Sequence, residues 1–304
     1  MAQAEVVTKV SSLPERTEKT FVQKHLARML TLPSFIIPYM LIGVWLLGIY
    51  YSLTDYDMRY GIRNYVGYEN FVYLFTKDRA FWKSLGVTLR YSMGCVFIQL
   101  PLGFAVAMLL DRITGVFQKI ARAIVLIPMC IPPIVAVLIW KVALGPTQGV
   151  VNFVLQRIGL RATDWLGDPK VVLGTLVFVD TWIWTPFVII ILWGGLGSLP
   201  KAPYEAATLD GASPWFIFRR LTLPLMRPFL MIALLFRVCD TLNSFDIIYG
   251  STRGGPQMAT ATLNLYAYDN AMIWWHMGYG LSMVMVTYFL TYFVAKRLTA
   301  FWPR

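Results

Sequence analysis

The sequence predicts an all-α membrane protein with six transmembrane helices, and two observations support this fold class. Of the 304 residues, 57% are hydrophobic and only 14% carry a charge, and the mean hydropathy is +0.58. A soluble domain cannot bury this much apolar surface, so the chain is expected in a bilayer. The apolar residues also form six continuous runs close to the length of about 20 residues that a membrane-spanning helix needs. Transmembrane β-barrel strands would instead alternate apolar and polar residues over about ten positions.

Each apolar run predicts one membrane-spanning helix. The runs cover residues 30–53, 85–110, 122–144, 171–196, 228–249 and 278–295. The segment before them is polar and lacks the layout of a secretory signal peptide, so the first span is expected to direct the chain to the membrane. We therefore divide the chain into an amino-terminal segment, 1–29, and a six-helix domain, 30–304.

The Lys and Arg residues predict the orientation of these spans. They are more numerous in the segments that are cytoplasmic if the amino terminus lies inside, so both termini and the loop at about 197–227 are expected in the cytoplasm. Within residues 1–29, apolar residues recur at helical spacing beside Lys24 and Arg28. This pattern predicts an amphipathic helix on the inner membrane surface. A basic segment that only precedes the first span is the alternative.

The charge and cysteine content disfavour several classes of function. The net charge is +11, but the basic residues flank apolar runs, where they act as topology signals and headgroup contacts, so no nucleic-acid partner is expected. Cys95, Cys130 and Cys239 lie inside apolar runs without disulfide or metal spacing. The two histidines, His25 and His276, are far apart, so no metal site is expected. The sequence contains neither a nucleotide-binding phosphate loop nor a nucleophile motif, which argues against an enzyme.

The loop at about 197–227 predicts two short helices joined by a rigid turn. Gly211 is suited to a backbone conformation with positive φ, and Ser213 followed by Pro214 is a typical helix start. Pro224 is expected to end the second helix. Glu205 falls in the first turn of the first helix, where a carboxylate suits the exposed backbone amides. A structured polar loop between two spans indicates a docking surface.

At these residues the chain resembles the permease subunits of bacterial ATP-binding-cassette (ABC) importers, in particular the carbohydrate-uptake type related to the maltose permeases. The residues that match this family's pattern are Glu205, Ala206, Ala207, Gly211, Leu221, Leu223 and Pro224. Asp210, beside the glycine, is assigned to the same surface. The segment 251–272 resembles the family's Thr-x-Gly-Gly-Pro loop and the Tyr-rich segment after it, and the resemblance covers residues 30–304. A generic interfacial loop that contains Glu-Ala-Ala by chance is the alternative.

The resemblance implies a type I ABC importer permease fold with a cytoplasmic coupling helix between spans four and five. In that family the coupling helix inserts into a cleft on a separate ATPase subunit. The implied partners are a second homologous permease, a dimer of ATPase subunits and an extracytoplasmic solute-binding protein. ATP and Mg are expected on the ATPase, with no cofactor on this chain. The implied location is the bacterial inner membrane.

Four ionisable residues stand out inside the predicted spans. They are Asp180, Arg237, Asp240 and Asp246. An ionisable group at membrane depth is costly unless it faces a cavity or a partner, so these residues predict the transport path. Arg237 and Asp240 are three residues apart on one helical face and are expected to form a structural ion pair.

The resemblance also suggests a substrate site in spans four and five. The candidate residues are Asp180, Trp182, Trp184, Phe187, Asn243 and Asp246. Sugar binding needs aromatic faces and hydrogen-bonding side chains, which this set provides. The chain departs from the family where Asp180 and Asp246 replace amides and where Trp184 replaces a small residue. Asn243 and Asp246, three apart, are expected on one helical face, and Trp182 has a core residue as its alternative role.

The predicted function is therefore a permease subunit of an ATP-driven importer for a sugar, glycoside or polyol. Carboxylates in the path accept hydroxyl hydrogen bonds and repel anions, which favours a neutral solute. The alternatives are an ABC permease for a non-sugar solute such as glycerol phosphate, an ion-coupled carrier or channel and, last, a membrane-embedded enzyme.

Overall fold

The computed structural model describes residues 35–62 and 64–300, and most of these residues are helical. The described residues include no strand, only two isolated β-bridges, which join Thr54 to Tyr65 and Asp57 to Gly61. The predicted all-α fold class is confirmed. The amphipathic helix predicted in residues 1–29 lies outside the described residues.

Fourteen α-helical segments are described, and we number them in chain order. They are Ile36–Ser52 (α1), Glu69–Thr76 (α2), Arg79–Arg112 (α3), Gly115–Leu126 (α4), Pro133–Ala143 (α5), Val150–Arg157 (α6), Val172–Gly197 (α7), Ala202–Leu209 (α8), Pro214–Ile217 (α9), Leu223–Leu225 (α10), Arg227–Leu242 (α11), Asp246–Ser251 (α12), Leu263–Tyr268 (α13) and Met277–Ala300 (α14). A 3₁₀ turn at Ile127–Cys130 and π-helical turns at Phe218–Thr222 and Asp269–Ile273 extend their neighbours.

Three of the described helices, α3, α7 and α14, are long and apolar enough to cross a membrane. Two bent pairs raise the number to five if each pair is one span.

The chain also divides into two compact units, Met1–Tyr50 and Tyr51–Arg304. The described part of the first unit is almost entirely α1, an apolar helix of 17 residues whose side chains are mostly exposed. The apolar run predicted at 30–53 begins before the described residues.

The third apolar run, 122–144, is not one straight helix. α4 ends in the 3₁₀ turn at Ile127–Cys130, and the segment that follows it, α5, is bent by 93° from the first. Pro132 and Pro133 have no backbone N–H, and the residue before a proline disfavours the helical conformation. Ile131 accordingly adopts an extended conformation.

The fifth apolar run, 228–249, is interrupted between α11 and α12. The prediction that Asn243 and Asp246 share the face of one continuous helix is therefore wrong. Asn243 Nδ2 donates to the Cys239 carbonyl at 2.7 Å, and Asn264 Nδ2 donates to the Asn243 carbonyl at 2.7 Å. Side-chain amides thus donate hydrogen bonds to backbone carbonyls at the end of α11, in place of the backbone N–H groups that a continuous helix would supply.

The centre of the second unit is the pair α3 and α7, which share the most extensive helix–helix contact of the described residues. Their backbones approach closely at Gly103, where an added Cβ would lie 2.6 Å from Val188 Cγ1. Phe104, Ala107 and Leu192 are buried beside this contact. α11 packs against both helices and against α14. This arrangement brings polar residues of α3, α7 and α11 together.

Candidate functional site

The loop at 197–227 forms the predicted pair of short helices, α8 and α9, joined by a tight turn. Gly211 has φ +72°, a conformation that glycine adopts without steric cost. Ser213 Oγ accepts a hydrogen bond from the Phe216 backbone N–H at 3.3 Å and caps α9, with Pro214 at its first position. Tyr204 Oη donates to Thr222 Oγ1 at 3.2 Å and ties α8 to the π-helical turn that follows α9.

The second helix ends at Leu225, one residue beyond the Pro224 that the sequence predicts as its end. Helical structure continues through Leu225, and a bend of 61° separates Pro214–Leu225 from α11. The π-helical turn at Phe218–Thr222 precedes the proline. Pro224 lies one residue before the end of this helical stretch, and because it has no N–H it cannot donate to a carbonyl of the preceding π-helical turn.

The surface of this loop is exposed and partly apolar. Glu205 lies in the first turn of α8 and is exposed, as is Ala206, whereas Ala207 is half-buried. Leu209, in the last turn of α8, is 89% exposed. Two hollows border α8. One of about 410 Å³ is lined by Ala207, Asp210, Ala212, Ser213 and Phe216. Another of about 450 Å³ is lined in part by Met108, Asp111, Arg112, Tyr204 and Glu205.

Asp180 lies in a buried polar network between α3, α7 and α11. Its Oδ2 accepts from Tyr91 Oη at 2.7 Å, and its Oδ1 accepts from Gln99 Nε2 at 2.6 Å and from Arg237 Nη2 at 2.5 Å. Arg237 Nε donates to Gln99 Oε1 at 2.6 Å. Arg237 Nη1 donates to the carboxylate of Asp240. The ion pair expected between Arg237 and Asp240 is thus part of a larger network that also contains Asp180.

The two carboxylates that share Arg237 differ in exposure. The side chains of Asp180 and Arg237 are each 1% exposed, whereas that of Asp240 is 50% exposed. Trp184 lies beside the guanidinium, with Arg237 Cζ 5.3 Å from its ring centroid. Phe187 contacts Trp184, at 6.5 Å between ring centroids. Asp180 therefore points into the protein, while Asp240 lies at its surface, and Trp184 lies beside the arginine that the two carboxylates share.

Trp182 projects from a different face of α7. Its ring packs edge-to-face on Trp140 of α5, with 5.6 Å between centroids, at the margin of a buried apolar cluster. Across the described residues, no hydrogen bond or ring contact joins Trp182 to Asn243 or Asp246. Trp182 therefore has the environment of a core residue, the alternative role that the sequence left open. It does not lie with these two polar residues.

Asn243 and Asp246 lie on either side of the break between α11 and α12, and both are exposed. Asn243 Nδ2 reaches Thr291 Oγ1 of α14 at 3.2 Å as well as the carbonyl at the end of α11. Asp246 is the first residue of α12, where a negative charge interacts favourably with the positive end of the helix dipole. The break itself holds Ser244, whose Oγ lies 3.4 Å from Tyr91 Oη and links it to the buried network.

Sequence analysis missed Tyr91 and Gln99. Gln99 could have been predicted, because it is a polar side chain inside the second apolar run, as Asp180 is inside the fourth, and such a residue indicates a buried polar site. Tyr91 had no such signal, because tyrosine is ordinary in such a run. The described residues contain no group of three or more His, Cys, Asp or Glu side chains that could hold a metal ion.

The amino-terminal end of α3 carries a second polar region, at the opposite end of this helix from the hollow that Asp111 and Arg112 line. Asp78 caps α3 and accepts from Tyr266 Oη at 2.9 Å and Tyr279 Oη at 2.5 Å, beside a hollow of about 420 Å³. In the preceding loop, Arg59 donates to Asp57, and this hydrogen bond holds the pKa of the Asp57 carboxyl well below its usual range. Asp57 thus stays ionised at neutral pH.

Comparison with known proteins places this architecture in a family. Residues 99–301 match the family model described as binding-protein-dependent transport system inner membrane component. The trehalose/maltose transport system permease protein MalF of Thermococcus litoralis is 38% identical over 206 residues, which make up 67% of this chain and 69% of that protein. The sulfoquinovosyl glycerol transport system permease protein SmoG of Agrobacterium fabrum is 32% identical over 244 residues, 80% of this chain and 79% of that protein.

Solved structures share the fold. A chain in the crystal structure of a bacterial alginate ABC transporter, in complex with an alginate pentasaccharide-bound periplasmic protein, superposes with a TM-score of 0.80. The two chains are 21% identical, and the match covers 91% of this chain and 94% of that chain. Together with the family match, which spans more than half of the sequence, these findings show that the chain belongs to the inner membrane components of binding-protein-dependent transport systems.

Proposed function

We propose that this chain is one of two permease subunits of an ATP-driven importer that carries a neutral sugar, glycoside or polyol into the cell. Its family membership establishes a membrane component of an ABC transport system. The observation that carries the sugar or glycoside class is the names of its relatives, because those with 38% and 32% identity are named for trehalose and maltose and for sulfoquinovosyl glycerol. The sulfonate of a sulfoquinovosyl group is an anion, so the neutrality of the solute is inferred from the carboxylates near α11 and not from these names.

The chemistry of the region around α11 supports a neutral, hydroxyl-rich solute. Asp240 is a half-exposed carboxylate, and Asn243 is an exposed amide. Trp184 supplies an aromatic face next to Arg237, and Phe187 packs edge-on against Trp184. Hydroxyl groups donate well to carboxylates, and the apolar face of a sugar ring packs well on aromatic rings. An anionic solute such as glycerol phosphate, the alternative in this class, would be repelled by the same carboxylates.

ATP hydrolysis and its Mg are assigned to a separate ATPase subunit, present as a dimer. The chain has no phosphate-loop sequence with which to bind the nucleotide. The exposed pair α8 and α9 is the surface proposed to dock into that ATPase, with contacts from Glu205, Ala206, Ala207 and Asp210. Gly211 shapes the turn, and Leu223 with Pro224 closes the segment.

Two further partners complete the proposal. A solute-binding protein delivers the solute from outside, and a second, homologous permease provides the facing wall of the path. Polar residues exposed on α11 need such a wall, because lipid cannot solvate them. In this assembly residues 30–304 form the permease domain in the bacterial inner membrane, with both termini in the cytoplasm.

Reconstitution tests the proposal. The chain is purified with the subunits that accompany it and placed in vesicles with the solute-binding protein. We expect an ATPase to co-purify and uptake of trehalose or maltose to require ATP, with little uptake of glycerol 3-phosphate. Uptake of glycerol 3-phosphate alone would overturn the substrate class. ATP-independent uptake driven by an ion gradient would favour an ion-coupled carrier.

A further inference from the structure

We propose that Asp240 is the carboxylate that contacts the transported solute, and that Asp180 is a positioning residue that acts through Arg237. This inference rests on the proposed function, because it takes the solute to be neutral and rich in hydroxyl groups. It reverses the roles that the sequence predicts for the two aspartates, and it follows from how the two share one arginine.

Asp180 has little capacity left for a ligand, because it already accepts three of the about four hydrogen bonds that a carboxylate can accept. Both of its oxygens accept hydrogen bonds, from Tyr91 on one side and from Gln99 and Arg237 on the other. Its side chain is almost completely buried between α3 and α11. A solute hydroxyl that reached it would first have to displace one of these donors, which would leave a buried polar group unpaired.

Arg237 is fixed in its orientation by this network. Its Nε donates to Gln99 and its Nη2 to Asp180, so two edges of the planar guanidinium are already engaged. Gln99 is used at both ends of its amide, since its Nε2 donates to Asp180. The remaining nitrogen, Nη1, points to Asp240. The buried groups therefore aim one donor of Arg237 at one surface carboxylate.

Asp240 is left with unused acceptor capacity at the protein surface. Only one of its oxygens, Oδ2, accepts a hydrogen bond from Arg237. The charge of Arg237 is already balanced by Asp180, so the trio carries one negative charge in excess, and this charge lies on the exposed partner. A carboxylate with a fixed orientation and free lone pairs is well suited to accept hydrogen bonds from hydroxyl groups.

Asp240 is the centre of an exposed stripe, the α11 stripe, which we define as Phe236 and Asp240 of α11 and Asn243, the residue that directly follows this helix. These residues follow one another at intervals of four and three, which places them on one helical face, and all three are exposed. Phe236 contacts Phe187 of α7, with 5.9 Å between ring centroids at 82°. The α11 stripe thus combines an aromatic ring, a carboxylate and an amide.

The position of the α11 stripe argues for a polar occupant. Asp240 lies about midway along the apolar run 228–249, where a charged group facing lipid is costly. The occupant must therefore be able to donate hydrogen bonds to the carboxylate and present an apolar face to Phe236. A sugar or polyol meets both requirements, whereas a lipid chain meets only the second.

The test uses the complete transporter in vesicles, with radiolabelled trehalose and maltose as probes, and measures solute imported per ATP hydrolysed. In Asp240→Asn we expect this ratio to fall about tenfold, the effect of losing a hydrogen bond to a charged group. A merely structural role would lower uptake and ATP hydrolysis in proportion and leave the ratio unchanged. The matched control is Glu69→Gln, which removes an exposed carboxylate from α2 and should leave the ratio at the wild-type value.

Three results would overturn the proposal. The first is an unchanged ratio in Asp240→Asn. The second is failure of this variant to retain the second permease on purification, which would make Asp240 a subunit contact. The third is wild-type uptake that stops when sodium is replaced by choline and becomes sodium-independent in the variant, which would make Asp240 a cation ligand.

A second measurement needs no sugar and separates this inference from the proposed function. Asp240→Cys and Asp180→Cys are made in a chain whose three native cysteines are replaced by serine. A small charged thiosulfonate reagent should label position 240 in the intact transporter and leave position 180 unlabelled. If the wild type imports neither disaccharide, the proposed substrate class fails, and labelling still decides the inference: an unlabelled position 240 overturns it.

Discussion

Arg237 Nη2 lies 2.5 Å from Asp180 Oδ1, and both side chains are almost completely buried. This ion pair joins α7 to α11 across a sequence separation of 57 residues. A buried ion pair contributes little to stability over apolar packing, but removing one partner leaves an uncompensated charge in the interior. The role of this ion pair is to orient the Arg237 guanidinium, which in turn donates a hydrogen bond to Asp240.

The first prediction contrasts the two aspartates in stability. Asp180→Asn should lower the free energy of unfolding of the purified complex by about 3–5 kcal/mol, because it leaves Arg237 without its buried counter-charge. Asp240→Asn should cost only about 0–1 kcal/mol, since that carboxylate is half-exposed and screened. Denaturant unfolding in detergent measures both. Equal losses in the two variants would contradict the assignment.

The second prediction concerns the turn between α8 and α9. Gly211→Val should impose a backbone strain of about 1–3 kcal/mol, because a β-branched residue disfavours positive φ. A Cβ at this position would meet no atom within 4 Å, so the effect comes from conformation and not from a clash. Solute-stimulated ATP hydrolysis by the reconstituted transporter should fall severalfold.

The control for the turn is Gly194→Val. Gly194 lies within α7 at an ordinary helical φ, and an added Cβ there also meets nothing within 4 Å. This variant should keep most of the solute-stimulated ATP hydrolysis. A Gly211→Val transporter as active as this control would show that the turn geometry does not matter for coupling.

The elements with local signals could be predicted from sequence, and those with distant partners could not. The turn at Gly211 and the cap at Ser213 follow from residues next to each other in the chain. The pairing of Tyr91 with Asp180 spans 89 residues, and no local pattern encodes which tyrosine meets which aspartate. The break after Leu242 depends likewise on Asn264, a side chain from another segment.

The third prediction assigns Trp182 to packing. Its edge-to-face contact with Trp140 should appear in a double-mutant cycle of Trp182→Ala and Trp140→Ala as a coupling free energy of about 0.5–1.5 kcal/mol in unfolding. Solute imported per ATP should stay at the wild-type value in properly assembled Trp182→Ala. A changed preference between trehalose and maltose would instead return Trp182 to the substrate site.

The fourth prediction separates two roles of Asn243. Asn243→Ala should lower solute imported per ATP by an amount equivalent to about 1–3 kcal/mol, the usual cost of an unmet hydrogen bond. Thr291→Val removes the hydrogen bond between Asn243 and α14 but leaves the amide in place, and it should have little effect. If both variants lower uptake equally, Asn243 serves only to join α11 to α14.

The α11 stripe is separate from the buried network that holds the helices together, so the residues that meet the solute can vary independently of that network. Phe236 and Asn243 make no hydrogen bond to the buried groups of Asp180, Gln99 and Tyr91, and Asp240 is tied to them only through Arg237. We therefore expect replacements along the stripe to alter which solute is accepted while the buried network of Asp180, Gln99 and Tyr91 stays intact, because surface substitutions away from buried groups cost little stability. Libraries that vary these three positions offer a direct route to permeases with new cargo.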